Sequence, residues 1–147
     1  MIALIQRVSR SSVTVDGERI AEIGRGMTIF LGVFREDTET EIDRLMKKIP
    51  YLRIFADEAG KMNLSLIDSG GEALVVSQFT LAGDLKKGRR PGFDRAMPPG
   101  EAERLYEKFC EKLAGYVPVR TGRFGATMEV EIINDGPVTF IVDSKTL

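Results

Sequence analysis

The segment Asn134-Asp135-Gly136-Pro137-Val138-Thr139 constrains the fold of this chain more than any other stretch. It separates two β-like runs, residues 128–133 and 138–142. Proline cannot donate to a strand ladder, and X-Pro is the peptide bond that is most often cis. Because Asn-Asp-Gly-Pro is also good turn chemistry, an ordinary hairpin between the two runs is the simplest interpretation.

Composition indicates one soluble domain over residues 1–147, with a hydrophobic share of 43% and a charged share of 29%. The formal net charge of −1 gives no global attraction to nucleic acid or membranes, so any such binding must be local. We find neither a signal-peptide pattern nor an apolar run that approaches the ~20 residues of a membrane span. A single cysteine, Cys110, excludes an internal disulfide and fits a reducing cytosol. The expected location is therefore cytoplasmic, without a membrane partner.

The chain contains no histidine. This excludes Ser-His-Asp and Cys-His catalysis and every histidine-ligated metal site. Cys110 alone makes a zinc site improbable, and it falls within an amphipathic helical pattern, as a small buried residue would. We expect no metal and no organic cofactor, and an enzyme of this sequence would work without the usual base.

Periodicity predicts an α+β fold of mostly antiparallel sheets with two helices packed on one side. The predicted helices begin at a Thr38–Glu41 capping box and at Glu101, and the second runs to about Ala114. Leu64 and Leu66 suggest a short strand, and a long polar loop spans roughly residues 83–100. The other predicted strands cover residues 2–8, 12–16, 20–23, 27–34, 53–56, 73–76, 117–121, 128–133 and 138–142.

A polar cluster, Ser77-Gln78-Phe79-Thr80, directly follows the predicted buried strand 73–76. Functional sites are common where a core strand emerges from a sheet. Read alone, Ser77 and Thr80 could equally cap or turn the backbone, and Phe79 could belong to the core.

Taken with Asn134 to Thr139 and with residues 121–128 (Thr-Gly-Arg-Phe-Gly-Ala-Thr-Met), this cluster resembles the D-aminoacyl-tRNA deacylase family. Ser-Gln-Phe-Thr and Asn-X-Gly-Pro-X-Thr match the two signature motifs of that family in order and spacing. The likeness runs from residue 6 to residue 140 and includes residues 87–91 (Lys-Gly-Arg-Arg-Pro). It implies the deacylase fold, with a barrel-like arrangement of sheets in a homodimer.

The resemblance implies hydrolysis of the ester between a D-amino acid and the 3′-terminal adenosine of tRNA, a carboxylic ester hydrolase activity. Gly136-Pro137 would carry a cis bond and enter the partner's pocket, with Thr139 beside it and Arg7 helping to hold it across the interface. Carbonyl oxygens of Gly136 and Pro137 would exclude the Cβ of an L-amino acid. Glycine has no Cβ, so glycyl-tRNA is an expected secondary substrate.

Two mechanisms are compatible with Ser77, Gln78, Phe79 and Thr80 as catalytic residues. Thr80 could be the nucleophile, although without histidine its hydroxyl has no evident activating base. Alternatively, the 2′-hydroxyl of the substrate assists the attacking water while backbone N–H groups near Phe79 and Thr80 stabilise the oxyanion. We favour the second mechanism, because it predicts the absence of histidine.

The resemblance also implies RNA contacts. The family segment that lines the adenosine pocket corresponds to Phe124, Gly125, Ala126 and Met128, although Phe124 and Met128 would also suit a core. A dense basic cluster is expected to contact tRNA phosphates if it lies near that pocket, and to be a solvated loop otherwise; it consists of Lys86, Lys87, Arg89 and Arg90. Two other functions remain open: a non-catalytic module that binds the tRNA 3′ end, and a purely structural dimerisation domain.

Overall fold

The computed structural model describes all 147 residues and is organised around one six-stranded sheet. Its strands are β1 (Ile2–Val15), β2 (Glu18–Ile23), β3 (Gly26–Gly32), β6 (Glu72–Ser77), β7 (Val119–Thr121) and β8 (Glu129–Asp143). A small hairpin pairs β4 (Phe55–Ala56) with β5 (Met62–Leu64). The helices are α1 (Glu39–Met46), α2 (Leu66–Ser69) and α3 (Pro99–Ala114).

The strand order is β2-β1-β3-β6-β7, and β8 pairs with β1. Strand β1 is antiparallel to β2, β3 and β8, whereas β3, β6 and β7 run parallel to one another. The sheet is nearly closed into a barrel. The predicted α+β class is therefore confirmed, with a three-stranded parallel portion that includes the strand leading to Ser77.

The hairpin that the turn chemistry of residues 134–139 suggests when read alone does not form. Both β-like runs belong to one strand, β8, which pairs with β1 from Ile2↔Asp143 to Thr14↔Glu129. The register shifts between Gln6 and Arg10, so residues 135–138 have no partner on β1, and the ladder continues on both sides of them. The chain does not turn back at this segment because β1 is unbroken from Ile2 to Val15 and pairs with the runs on both sides of it.

The core consists of two hydrophobic clusters on opposite faces of the sheet. The larger cluster packs α1 and α3 against the sheet through the predicted stripe of α3; its fully buried members include Leu105, Phe109 and Leu113. The smaller cluster contains Leu74 and Val76 of β6, with Met128 packed against it. Strand β6 therefore has core on both faces, as its uninterrupted apolar sequence predicts.

Capping chemistry fixes the helix boundaries. The Thr38–Glu41 capping box is confirmed, with the Thr38 N–H donating to Glu41 Oε2 at 2.7 Å. Leu66 begins a one-turn helix, not the predicted strand, because Ser65 and Asp68 form a second capping box. Helix α3 starts at Pro99, two residues before the predicted position, since proline is well tolerated in a first turn. None of these helices has the length and apolar character needed to cross a membrane.

Candidate active site

A cavity of about 700 Å³ opens at the end of β6. It brings together seven of the residues predicted from sequence, namely Ser77, Gln78, Phe79, Phe124, Gly125, Ala126 and Met128. Segments that are 47 residues apart in the chain, counted from Ser77 to Phe124, thus share one site. Eleven of its 17 lining residues are hydrophobic, which suits a ligand with a large apolar or aromatic part.

Close packing against β3 fixes the position of the Ser77–Thr80 segment. The Gln78 N–H donates to Leu31 O at 2.8 Å, and a 3-10 turn then covers Phe79–Ala82. A Cβ at Gly32 would lie 2.8 Å from Leu81 Cβ and 3.2 Å from Gln78 O, so only glycine permits this approach. The amides at the start of such a turn have no partner within it and are free to bind a ligand.

Thr80 does not line the cavity, and its side chain is exposed. Its hydroxyl accepts a hydrogen bond from Gln78 Nε2, and no carboxylate or amine contacts it. A carboxamide cannot remove a proton at neutral pH. The surroundings of Thr80 therefore supply no group that would activate it as a nucleophile.

Helix α3 supports the opposite side of the cavity. Tyr106 donates from its hydroxyl to Val75 O at 2.8 Å, and its ring lies 5.8 Å from that of Phe124. Burial raises the pKa of the Tyr106 phenol, so it remains a neutral donor. Burial also raises the pKa of the Cys110 thiol to about 12, which makes Cys110 an unreactive packing residue.

The Gly136–Pro137 segment does not reach the cavity of its own protomer. Both residues are exposed, and their peptide bond is cis. Arg7 donates from Nε to Asp135 O at 3.1 Å and from Nη1 to Ile54 O at 2.7 Å, so it anchors this segment within the protomer. Arg7 therefore holds the exposed Gly136–Pro137 segment against β1.

Side-chain amides complete the anchoring of this segment. Asn134 Nδ2 donates to Arg7 O at 2.9 Å and to Val138 O at 3.0 Å. Gln6 Nε2 donates to Thr139 Oγ1 at 3.1 Å. Asn134 and Thr139, the first and last residues of the motif, therefore fix its two ends to each other and to β1.

The basic cluster lies outside the cavity, in an exposed loop closed by Asp84 and Gly92. These two residues exchange backbone hydrogen bonds of 2.7 and 3.0 Å. None of the four cations forms an ion pair. Their charges are therefore fully available to an anionic partner.

Sequence reasoning missed the part of the site that comes from the supposed polar loop. Phe93, Ala96, Met97, Pro98 and Pro99 line the cavity, together with Arg35. The loop folds back on the end of β3, with the Met97 N–H donating to Val33 O at 3.0 Å. The only local sign that this loop belongs to the site was the presence of Phe93 and of Pro98-Pro99 among its polar residues.

Comparison with known proteins agrees with the resemblance. The D-Tyr-tRNA(Tyr) deacylase family model matches residues 4–143. A D-aminoacyl-tRNA deacylase of Persephonella marina is 65% identical over 100% of both chains, and one of Nitratiruptor is 59% identical over the same extent.

Two solved structures have the same fold. One, described as a c-Myc DNA unwinding element binding protein, is 48% identical, with a TM-score of 0.93 over 97% of this chain and 98% of the other. A probable eukaryotic D-amino acid tRNA deacylase, 18% identical, has a TM-score of 0.82 over the same shares and supports the fold alone. By sequence and by architecture, this chain belongs to the D-Tyr-tRNA(Tyr) deacylase family.

Proposed function

We propose that this protein hydrolyses the ester bond of D-aminoacyl-tRNA in the cytoplasm and releases the free D-amino acid and tRNA. The observation that carries the proposal is the shared cavity of Ser77–Phe79 and the segment from Phe124 to Met128, in a member of a deacylase family. One side of this cavity offers amides to an ester, and the other offers an aromatic ring and a thioether to a nucleobase.

The active form in this proposal is a homodimer. Strand β8 is an edge strand of 15 residues whose outer side has no partner, and three of its large apolar side chains are exposed: Ile133, Phe140 and Ile141. Long exposed apolar edges are normally covered by another chain. In this proposed dimer the exposed Gly136 and Pro137 enter the partner's cavity, whose own protomer contributes no such element.

Selection for the D-enantiomer then comes from main-chain carbonyl oxygens of Gly136 and Pro137. They accept hydrogen bonds from the substrate amine and leave no space for the Cβ of an L-residue. Glycine would pass this filter, so glycyl-tRNA is a secondary substrate. Main-chain atoms cannot adopt another rotamer, so the exclusion does not relax.

For the chemistry we infer substrate assistance. The 2′-hydroxyl of the terminal adenosine assists the attacking water, and the N–H groups of Phe79 and Thr80 stabilise the oxyanion. The free first turn at Phe79 and the lack of any base at Thr80 support this assignment over a Thr80 nucleophile.

The test is to incubate the protein with D-Tyr-tRNA and with L-Tyr-tRNA and to follow free tyrosine. We expect hydrolysis of the D-ester alone, because only the D-enantiomer places hydrogen where the carbonyl oxygens lie. Binding of both esters without hydrolysis would instead assign a tRNA-end binding module. A protein that neither binds nor hydrolyses either ester would be a structural dimerisation domain.

We also expect the loop cations to bind tRNA phosphates. Replacing Arg89 and Arg90 with glutamine should reduce the slope of log KM against log salt by about two, since each neutralised phosphate contact contributes about one. The control is Arg19→Gln, because Arg19 is already paired with Glu22 at 3.3 Å. An unchanged slope in the double variant would remove these residues from the RNA interface.

A further inference from the structure

Arg35 is the only charged residue among those that line the cavity. It follows β3 and is exposed, so it stands at the rim where the cavity meets solvent. The rest of the cavity lining is mainly apolar and includes Phe93, Met97 and Pro98. A cation at such a place is a marker for an anionic group of the ligand.

The guanidinium is oriented but not neutralised. The Arg35 N–H donates to Arg95 O at 3.0 Å, and its Nε donates to Asp94 O. No carboxylate pairs with it, and neither Nη atom makes a hydrogen bond. Of the five donors of a guanidinium, the four on Nη1 and Nη2 are therefore free in a fixed fork.

The chemistry of an aminoacylated RNA end determines what this fork can bind. The aminoacyl group bears an amine that is largely protonated near neutral pH, so a fixed cation repels it. The ester and the nucleobase are neutral. Phosphodiester oxygens are the remaining anions, and a guanidinium binds them in bidentate geometry.

Resting on the deacylase function proposed above, we propose that Arg35 binds the phosphate on the 5′ side of the terminal adenosine. The contact places the nucleotide so that its sugar enters the cavity with the ester towards Ser77–Phe79. It is distinct from the exposed loop of Lys86 to Arg90, none of which lines the cavity. Arg35 is thus a binding and positioning residue for the RNA end, not a catalytic one.

The experiment compares two small substrates, the 3′-D-tyrosyl ester of adenosine and the same ester of adenosine 5′-phosphate. The measured quantity is the ratio of their kcat/KM values. For the wild-type protein we expect the phosphate to raise kcat/KM about tenfold, mainly through KM, as one charge-assisted contact would. In Arg35→Gln the ratio should fall close to one, and in Arg35→Lys it should be intermediate, because the charge remains without the fork.

The matched control is Arg19→Gln, which removes the same charge away from the cavity and should keep the wild-type ratio. A wild-type ratio near one, or an unchanged ratio in Arg35→Gln, would overturn the phosphate contact. Equal losses on both substrates would also overturn it, since they would mean that Arg35 only supports the fold of the rim. If wild-type protein hydrolyses neither these esters nor D-Tyr-tRNA, the proposed function itself has failed, a result that is distinct from all of these.

Discussion

Replacing the terminal adenosine of D-Tyr-tRNA with 2′-deoxyadenosine is expected to slow hydrolysis by about 10²- to 10⁴-fold, the usual contribution of a positioned proton-transfer group. The reason is that no side chain lining the cavity can act as a base at neutral pH, since its one charged residue is Arg35. Thr80 faces only the amide of Gln78, and the chain has no histidine. The measurement is single-turnover release of tyrosine from the two substrates.

The paired protein variant is Thr80→Val, which removes the hydroxyl and keeps the shape of the side chain. Its rate on normal D-Tyr-tRNA should fall less than about tenfold, the loss of one neutral hydrogen bond. For the wild-type protein, inhibition of D-Tyr-tRNA hydrolysis by the 2′-deoxy substrate would show that this substrate still binds. Loss of activity in Thr80→Val as large as that from the deoxy substrate, with the fold intact, would make Thr80 the nucleophile.

Two inactive variants are expected to restore activity when they share a dimer. Gly136→Ala should lower activity about 100-fold or more, because small displacements near the ester are costly. Gly136 has φ +140, and a Cβ there would lie 2.6 Å from Val138 Cγ2 and 2.8 Å from the Val138 backbone N. Ala126→Phe should cause a similar loss by filling the cavity that Ala126 lines.

When the two variants are co-expressed in equal amounts, about one quarter of wild-type activity should return. In a two-fold symmetric dimer half of the molecules are mixed, and each mixed dimer has one site with a normal cavity and a normal Gly-Pro segment. Size-exclusion chromatography of each variant controls for loss of assembly. Mixed dimers that stay inactive would place the cavity and the Gly-Pro segment of each site on one protomer, and a monomeric wild-type protein would exclude the dimer altogether.

Periodicity and capping were enough to predict the elements that position the site. The stripe through Leu105, Phe109 and Leu113 predicts α3, and the continuous apolar run before Ser77 predicts a strand with core on both faces. These signals succeed because each element buries a face defined by its own residues. Periodicity did not predict that Ser77–Phe79 and Phe124–Met128 line the same cavity. Only the family resemblance indicated it.

The errors at residues 134–139 and in the loop before α3 share one cause, which is pairing with residues far away in the chain. Residues 134–139 have the chemistry of a turn, yet β1 holds both flanking runs in one strand. Phe93 and Met97 belong to a stretch with loop composition, yet they reach the cavity through backbone pairing near Val33 and Phe34. Arg35 likewise gave no signal, because a single arginine after a strand is ordinary in sequence.

The pairing of β1 with β8 also determines the order in which the molecule can be completed. Residues 2–15 are synthesised long before their partner, residues 129–143. Until then β1 has one open edge, and nascent chains on neighbouring ribosomes carry the same edge. Contacts of such large sequence separation slow folding and leave unpaired strands prone to aggregation. Chaperone protection of the growing chain would therefore matter most until residues 129–143 have emerged from the ribosome.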